Sequence, residues 1–145
     1  MSTIDSELLG TSIIGSGRGE AQADATKANN PATGESLEPA FAEASAAEVE
    51  RAAALAAAAA IPYGKLSGRS KAHFLRAIAS EIEALGDALV ERATVETALP
   101  AARIQGERGR TCAQLRLFAD LVEEGSWVDA RILHQGSADR TAAAE

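Results

Sequence analysis

Few residues in this 145-residue sequence can do covalent or acid–base chemistry, and most of them stand alone. Cys112 is the single thiol. A nucleophilic cysteine needs a nearby base or a helix N-terminus to lower its pKa. Cys112 falls well inside a predicted helix, between Thr111 and Ala113, with no histidine near it, so it reads as a packing thiol. His73, close to Lys71 and Phe74, reads as a surface or partly packed residue, and His134 lies near a loose tail. Two histidines make a histidine-rich metal site unexpected. The carboxylates Glu81, Glu83, Glu123 and Glu124 fall on polar faces and read as solvated. Gly15-Ser16-Gly17-Arg18-Gly19 has the look of a phosphate loop, but it lacks the Lys-Ser/Thr of the P-loop. It also has Glu20 where the third glycine of G-x-G-x-x-G belongs, so it reads as a hairpin turn.

One segment has unusual chemistry. Gly106-Glu107-Arg108-Gly109-Arg110-Thr111 places two arginines two residues apart, beside glycines that remove bulk. Arginine offers a planar fork that binds carboxylates through two parallel hydrogen bonds. The segment reads either as a carboxylate-binding lip or as a set of salt bridges to Glu107 or a neighbouring helix.

The elements that must carry these residues can be read from punctuation and periodicity. Residues 1–44 hold Gly, Asn, Pro and Thr and read as an extended, hairpin-forming region. Thr11–Ile14 and Ala25–Ala28 are short strand candidates that would close a hairpin, and Ser36–Ala42 is an edge strand marked by Pro39. Asn30-Pro31-Ala32-Thr33-Gly34-Glu35 is turn chemistry. Residues 45–126 read as a three-helix body. The first helix opens on a Ser45/Glu48 capping box, aligns Val49, Ala52, Ala53, Ala56 and Ala60, and stops at Pro62 and Gly64. The second begins near Ser67 or Ser70. It carries Leu75, Ile78, Ile82, Leu85 and Leu89 as one apolar stripe, and runs through Val95 to a stop before Pro100. The third starts at Pro100 and ends at Gly125-Ser126, with Arg108 and Thr111 interrupting its stripe of Ile104, Leu115, Phe118 and Val122. Gly106 and Gly109 inside that helix each cost about 1 kcal/mol against alanine, which calls for close packing or ligand access there. Residues 127–145 read as a short strand, Trp127–Leu133, and a loose tail. The fold class is mainly α with a short N-terminal β-hairpin and edge strands.

Composition limits what such a body can be. Alanine supplies 34 residues, while the aromatics are one Trp, one Tyr and three Phe, so the core is thin. A net charge of −7 disfavours nucleic acid and anionic membrane surfaces as partners. No apolar run approaches the ~20 residues of a membrane span. One cysteine and no basic, apolar leader fit a reducing, cytoplasmic setting.

The order of segments resembles the aldehyde dehydrogenase superfamily. Asn30–Glu35 matches its "NPATGE" opening, Ser45–Ala52 its first helix, and Leu66–Ser70 with Phe74–Ala79 the following hinge and helix. Glu91–Pro100 is similar to its next helix end, with Ala98 where glycine is usual. Leu9–Gly15 and Gly106–Phe118 resemble the branch that oxidises 2,5-dioxopentanoate (α-ketoglutaric semialdehyde) to 2-oxoglutarate. The resemblance covers about residues 8–132 and implies a fragment of an α/β fold that oxidises aldehydes with NAD or NADP. It places the family's cysteine nucleophile, glutamate base, oxyanion asparagine and dinucleotide-binding segment downstream of this stretch. No catalytic, cofactor-binding or metal-ligating residue is therefore expected here, Cys112 is not the nucleophile, and the chain reads as a truncated, inactive product that binds no cofactor alone. The resemblance further implies that Gly106 and Arg110 face a substrate tunnel, with Arg110 against the distal carboxylate of a keto-acid semialdehyde, and that the early strands support homo-oligomer contacts. The alternative is a small helical protein-interaction module without catalysis.

Overall fold

A computed structural model describes residues 8–20 and 25–128. Four helices dominate, preceded by two small antiparallel strand pairs. Strand β1 (Ile13–Ile14) turns through Gly15 and Ser16 into β2 (Gly17–Arg18), with Ile13 opposite Arg18 and Ile14 opposite Gly17. Gly15 sits at φ +63°, which only glycine adopts freely. The glycine-rich segment is thus a hairpin turn, as its sequence indicates, but the strand that closes it is its own second half. The segment at Ala25 does not pair there. Strand β3 (Ala25–Thr26) pairs instead with β4 (Phe41–Ala42), and Ser36 bridges to Asn29. The cause is the Asn30–Gly34 turn. The Asn30 carbonyl accepts from Gly34 N at 2.7 Å, its side-chain oxygen accepts from Ala32 N at 2.9 Å, and Gly34 takes φ +78°. That reversal folds residues 36–42 back on 25–29. The expected Ser36–Ala42 strand shrinks to its last two residues, with Pro39 outside the ladder.

Helix α1 (Ala46–Gly64) begins with the capping box that its sequence announces. Ser45 N donates to Glu48 Oε2 at 2.8 Å, and Glu48 N donates to Ser45 Oγ at 3.2 Å. The second carboxylate oxygen accepts from Glu20 N at 2.8 Å, fastening the hairpin to the helix start. The Ser45 and Glu20 amides and the Ser45 hydroxyl hold this carboxyl below the usual glutamate range. Pro62 lies within the last turn rather than ending the helix. No residue of α1 is buried, so its alanine face packs on no other described element.

The core lies between α2 (Gly68–Ala84) and α4 (Ala101–Glu124), which run antiparallel. Ala72, Ala79, Cys112 and Ala119 are buried to 1% exposure or less along this seam. Each pair is seven residues apart, the repeat that keeps two packed helices in register. Cys112 Sγ lies 3.6 Å from the Ala79 carbonyl. A Cβ added at Gly68 would stand 2.1 Å from the Val122 carbonyl oxygen, so the two backbones approach closely. One side of the seam is ionic: Arg116 grips Glu83 with both fork nitrogens at 2.7 and 2.6 Å, and Arg76 meets Asp120 and Glu123. The other side carries the half-buried Leu75, Ile78, Ile82, Leu115 and Val122. Glu83 and Glu123, expected to be merely solvated, are therefore cross-helix partners. The Arg116 fork holds the Glu83 carboxyl below its ordinary value. Glu124 accepts from the Ser126 hydroxyl at 2.6 Å and amide at 3.0 Å, which lowers it too.

The expected second helix is two helices, making four in the body rather than three. It breaks at Leu85, and α3 (Gly86–Thr97) follows from Gly86 at φ +57°. The Gly86 carbonyl accepts from Arg108 Nη1 at 2.6 Å, so α4 supplies the donor at the break. Helix α3 ends on Ala98 at φ +57°, a non-glycine residue in left-handed backbone. That conformation costs an L-residue roughly 1–2 kcal/mol, part of which glycine's larger chain entropy would offset. Ala98→Gly is expected to raise the unfolding free energy by about 0.5–1 kcal/mol, read as a higher urea midpoint at unchanged slope. A lower midpoint would show that the turn is not strained. Helix α4 closes at Gly125, φ +81°, and Ser126–Val128 forms a short 3₁₀ turn where a strand was expected. The rest of the expected strand, His134 and the tail fall outside the described residues.

Candidate functional site

The first half of α4 carries the arginine- and glycine-rich segment on one continuous helix. Its three arginines have different fates. Arg103 is paired with Glu107 one turn on, with Nε at 2.9 Å and Nη2 at 2.8 Å. Arg108 points inward and is consumed by the Gly86 carbonyl. Its place in the middle of an apolar stripe was the sequence signal that it faces a neighbour. Arg110 is left reaching outward, its side chain 83% exposed and 4.0 Å from Glu107 Oε2. Exposed pairs of that kind contribute little, so the guanidinium can exchange partners at small cost.

Gly106 and Arg110 are four residues apart and share a helix face. Ala102, Gly109 and Ala113 extend that face, and all five are exposed. Among the described residues, nothing beyond the helix's own local backbone lies within 4 Å of where a Cβ would stand at Gly106 or Gly109. Close packing on the described elements is therefore not why the helix accepts two glycines. The face is a bare backbone strip with one free arginine beside it, directed away from the Cys112–Ala119 seam. Such a strip can take a flat or elongated group against the helix while the arginine binds a carboxylate at its end.

The other candidate residues stay apart. Cys112 is buried against Ala79, and no histidine among the described residues pairs with it. His73 is exposed on α2. Among the described residues, no group of three His, Cys, Asp or Glu side chains is placed to hold a metal ion. A dinucleotide pyrophosphate is held where a glycine-rich turn leads from a strand into a helix N-terminus. The loop at Gly15–Gly19 leads from one strand into another, so these residues do not fit such a cofactor. No described helix is long and apolar enough to cross a membrane.

Comparison with known proteins accounts for the order of these elements. Residues 19–143 match the sequence model of the aldehyde dehydrogenase family. The chain is 48% identical over 127 residues to alpha-ketoglutaric semialdehyde dehydrogenase 2 of Azospirillum brasilense, covering 87% of this chain and 24% of that protein. It is 46% identical over 92 residues to alpha-ketoglutaric semialdehyde dehydrogenase of Acinetobacter baylyi, covering 63% of this chain and 18% of that protein. The chain thus spans a quarter or less of the length of these relatives. With the matched region beginning just after the β1–β2 hairpin and running through all four helices, this chain belongs to the aldehyde dehydrogenase family.

Proposed function

We propose that this chain is the N-terminal, substrate-facing part of an NAD(P)-dependent enzyme that oxidises a keto-acid semialdehyde, 2,5-dioxopentanoate, to 2-oxoglutarate. The observation that carries the reading is the 48% identity to a protein named for that semialdehyde. The free Arg110 beside the bare Gly106–Gly109 strip supports it, since the substrate ends in a carboxylate. These residues supply shape and charge for binding rather than the bond-breaking chemistry. Their one thiol is buried, and their glycine loop does not suit a dinucleotide. A cytoplasmic enzyme, with homo-oligomer contacts made through the early strands, completes the reading.

The test is a transplant. Residues 19–143 replace the matching segment of the Azospirillum relative, and reduction of NAD⁺ or NADP⁺ with 2,5-dioxopentanoate is measured. The transplant is expected to turn over, whereas the 145-residue chain alone is not. A transplant that folds and binds cofactor yet rejects the semialdehyde while accepting neutral aldehydes would overturn the substrate assignment. Turnover by the chain alone would overturn the division of labour.

The exposure of large apolar side chains, such as Ile61 at 68% and Trp127 at 60%, favours a second reading as a helical interaction module. Sedimentation separates the two. A monomer supports the module, and self-association through these exposed apolar side chains supports the enzyme segment.

A further inference from the structure

We infer that Arg92 is a latch that holds the strap of residues 25–42 on helix α3. The strap is a pair of short strands closed by the Asn30–Gly34 turn, and neither β3 nor β4 packs broadly on any helix. A two-stranded hairpin is at best marginally stable in water, so its order depends on what fastens it. Among the described residues, one fastening is the Ala42 amide, which donates to the Gly10 carbonyl at 2.8 Å. Another is Arg92, which reaches from α3 across to the strap. Its Nη1 donates to the Glu38 carbonyl, and its guanidinium carbon lies 5.9 Å from the centre of the Phe41 ring. Its Nε donates to Glu96 Oε1 at 2.6 Å, which fixes the fork at the angle it needs. The side chain is 25% exposed, and Nη2 is buried with no hydrogen-bond partner among the described residues. A guanidinium carrying a buried, unmatched donor keeps this position only through the contacts that its other atoms make. Glu38 is held in turn by Lys27 across the strap, so the carbonyl that Arg92 grips belongs to a cross-braced unit. Releasing this one side chain therefore leaves the strap held only at its Ala42 end and leaves the α2–α4 seam in place.

Hydrogen–deuterium exchange on the 145-residue chain tests the latch, with Arg92→Gln, Arg92→Lys and Arg116→Gln compared to the parent. Arg92→Gln keeps donors but loses the charge and the reach of the fork. It is expected to speed exchange in peptides covering residues 25–42 by roughly tenfold, with no change in peptides from residues 68–84 and 112–124. Arg92→Lys retains the cation over Phe41 and is expected to fall between. Arg116→Gln is expected to show the reverse pattern, loosening the seam and sparing the strap. Unchanged exchange of the strap in Arg92→Gln would overturn the inference. So would equal acceleration in strap and seam, or a strap that is already unprotected in the parent chain.

Discussion

Ala79→Leu is expected to lower the unfolding free energy of the chain by about 3 kcal/mol, whereas Ala77→Leu, two residues away, should change it by less than about 0.5 kcal/mol. Ala79 is fully buried and its carbonyl touches Cys112 Sγ, while Ala77 is exposed on the far side of α2. The seam between α2 and α4 is built from alanine, cysteine and glycine, and its backbones nearly touch at Gly68 and Val122. An isobutyl group has no void to enter. The helices must separate or roll. Either movement strains the fork of Arg116 on Glu83 and the contacts of Arg76 with Asp120 and Glu123, since those bonds span the same two helices. Overpacked cores usually lose 1–3 kcal/mol, and a site with backbone on both sides belongs at the upper end. Urea unfolding followed by circular dichroism measures the difference. Equal midpoints for the two leucine variants would show that the seam is open enough to admit a side chain.

The second large effect concerns binding. In the transplanted enzyme, Arg110→Ala is expected to raise KM for 2,5-dioxopentanoate by roughly ten- to a hundredfold and to leave kcat nearly unchanged. A charged hydrogen bond to a carboxylate is worth about 1.5–3 kcal/mol once water is excluded, and each 1.4 kcal/mol is a factor of ten. In this chain Arg110 is bound only to a distant Glu107, so little must be broken before it can take a substrate. A neutral aldehyde of similar length should lose almost nothing in the same variant. Arg110→Lys should recover part of the affinity, because a point charge remains but the two-pronged geometry is gone. Equal losses for charged and neutral aldehydes would show that Arg110 shapes the helix rather than binding the carboxylate. Gly106→Leu is a companion test on the same face, since it fills the bare strip without touching the charge.

What could be read in advance divides by range. The capping box at Ser45 and Glu48, the turn at Asn30–Gly34 and the end of α4 at Gly125 all rest on contacts within a few residues, and all three are found where their residues indicate. Ala98 was legible as an oddity, because it stands where the family's wording has glycine, and it adopts the left-handed backbone that glycine would take freely. The break at Gly86 was not legible. The apolar stripe from Leu75 to Leu89 continues through it, and the donor for its carbonyl arrives from Arg108, 22 residues away. The strand partners were misjudged for a similar reason. Two-residue strands carry almost no pattern, and turns rather than the strands themselves paired β1 with β2 and β3 with β4 instead of β1 with β3.

The amino-acid sequence alone determined the family, the helical class and the points where helices start and stop, the break at Leu85–Gly86 excepted, because these depend on short-range capping and turn chemistry and on motif order. Tertiary structure decided what each alanine and each arginine is for. Alanines on α1 are bare while Ala72, Ala79 and Ala119 form the core, although their residue type is the same. Arg92, Arg108 and Arg116 are held by strap, break and seam, and Arg110 reaches outward with only a long contact to Glu107 among the described residues. A side chain's role follows from which neighbour comes to lie beside it, and that neighbour is set by how segments 22 to 54 residues apart pack together rather than by anything adjacent in the chain.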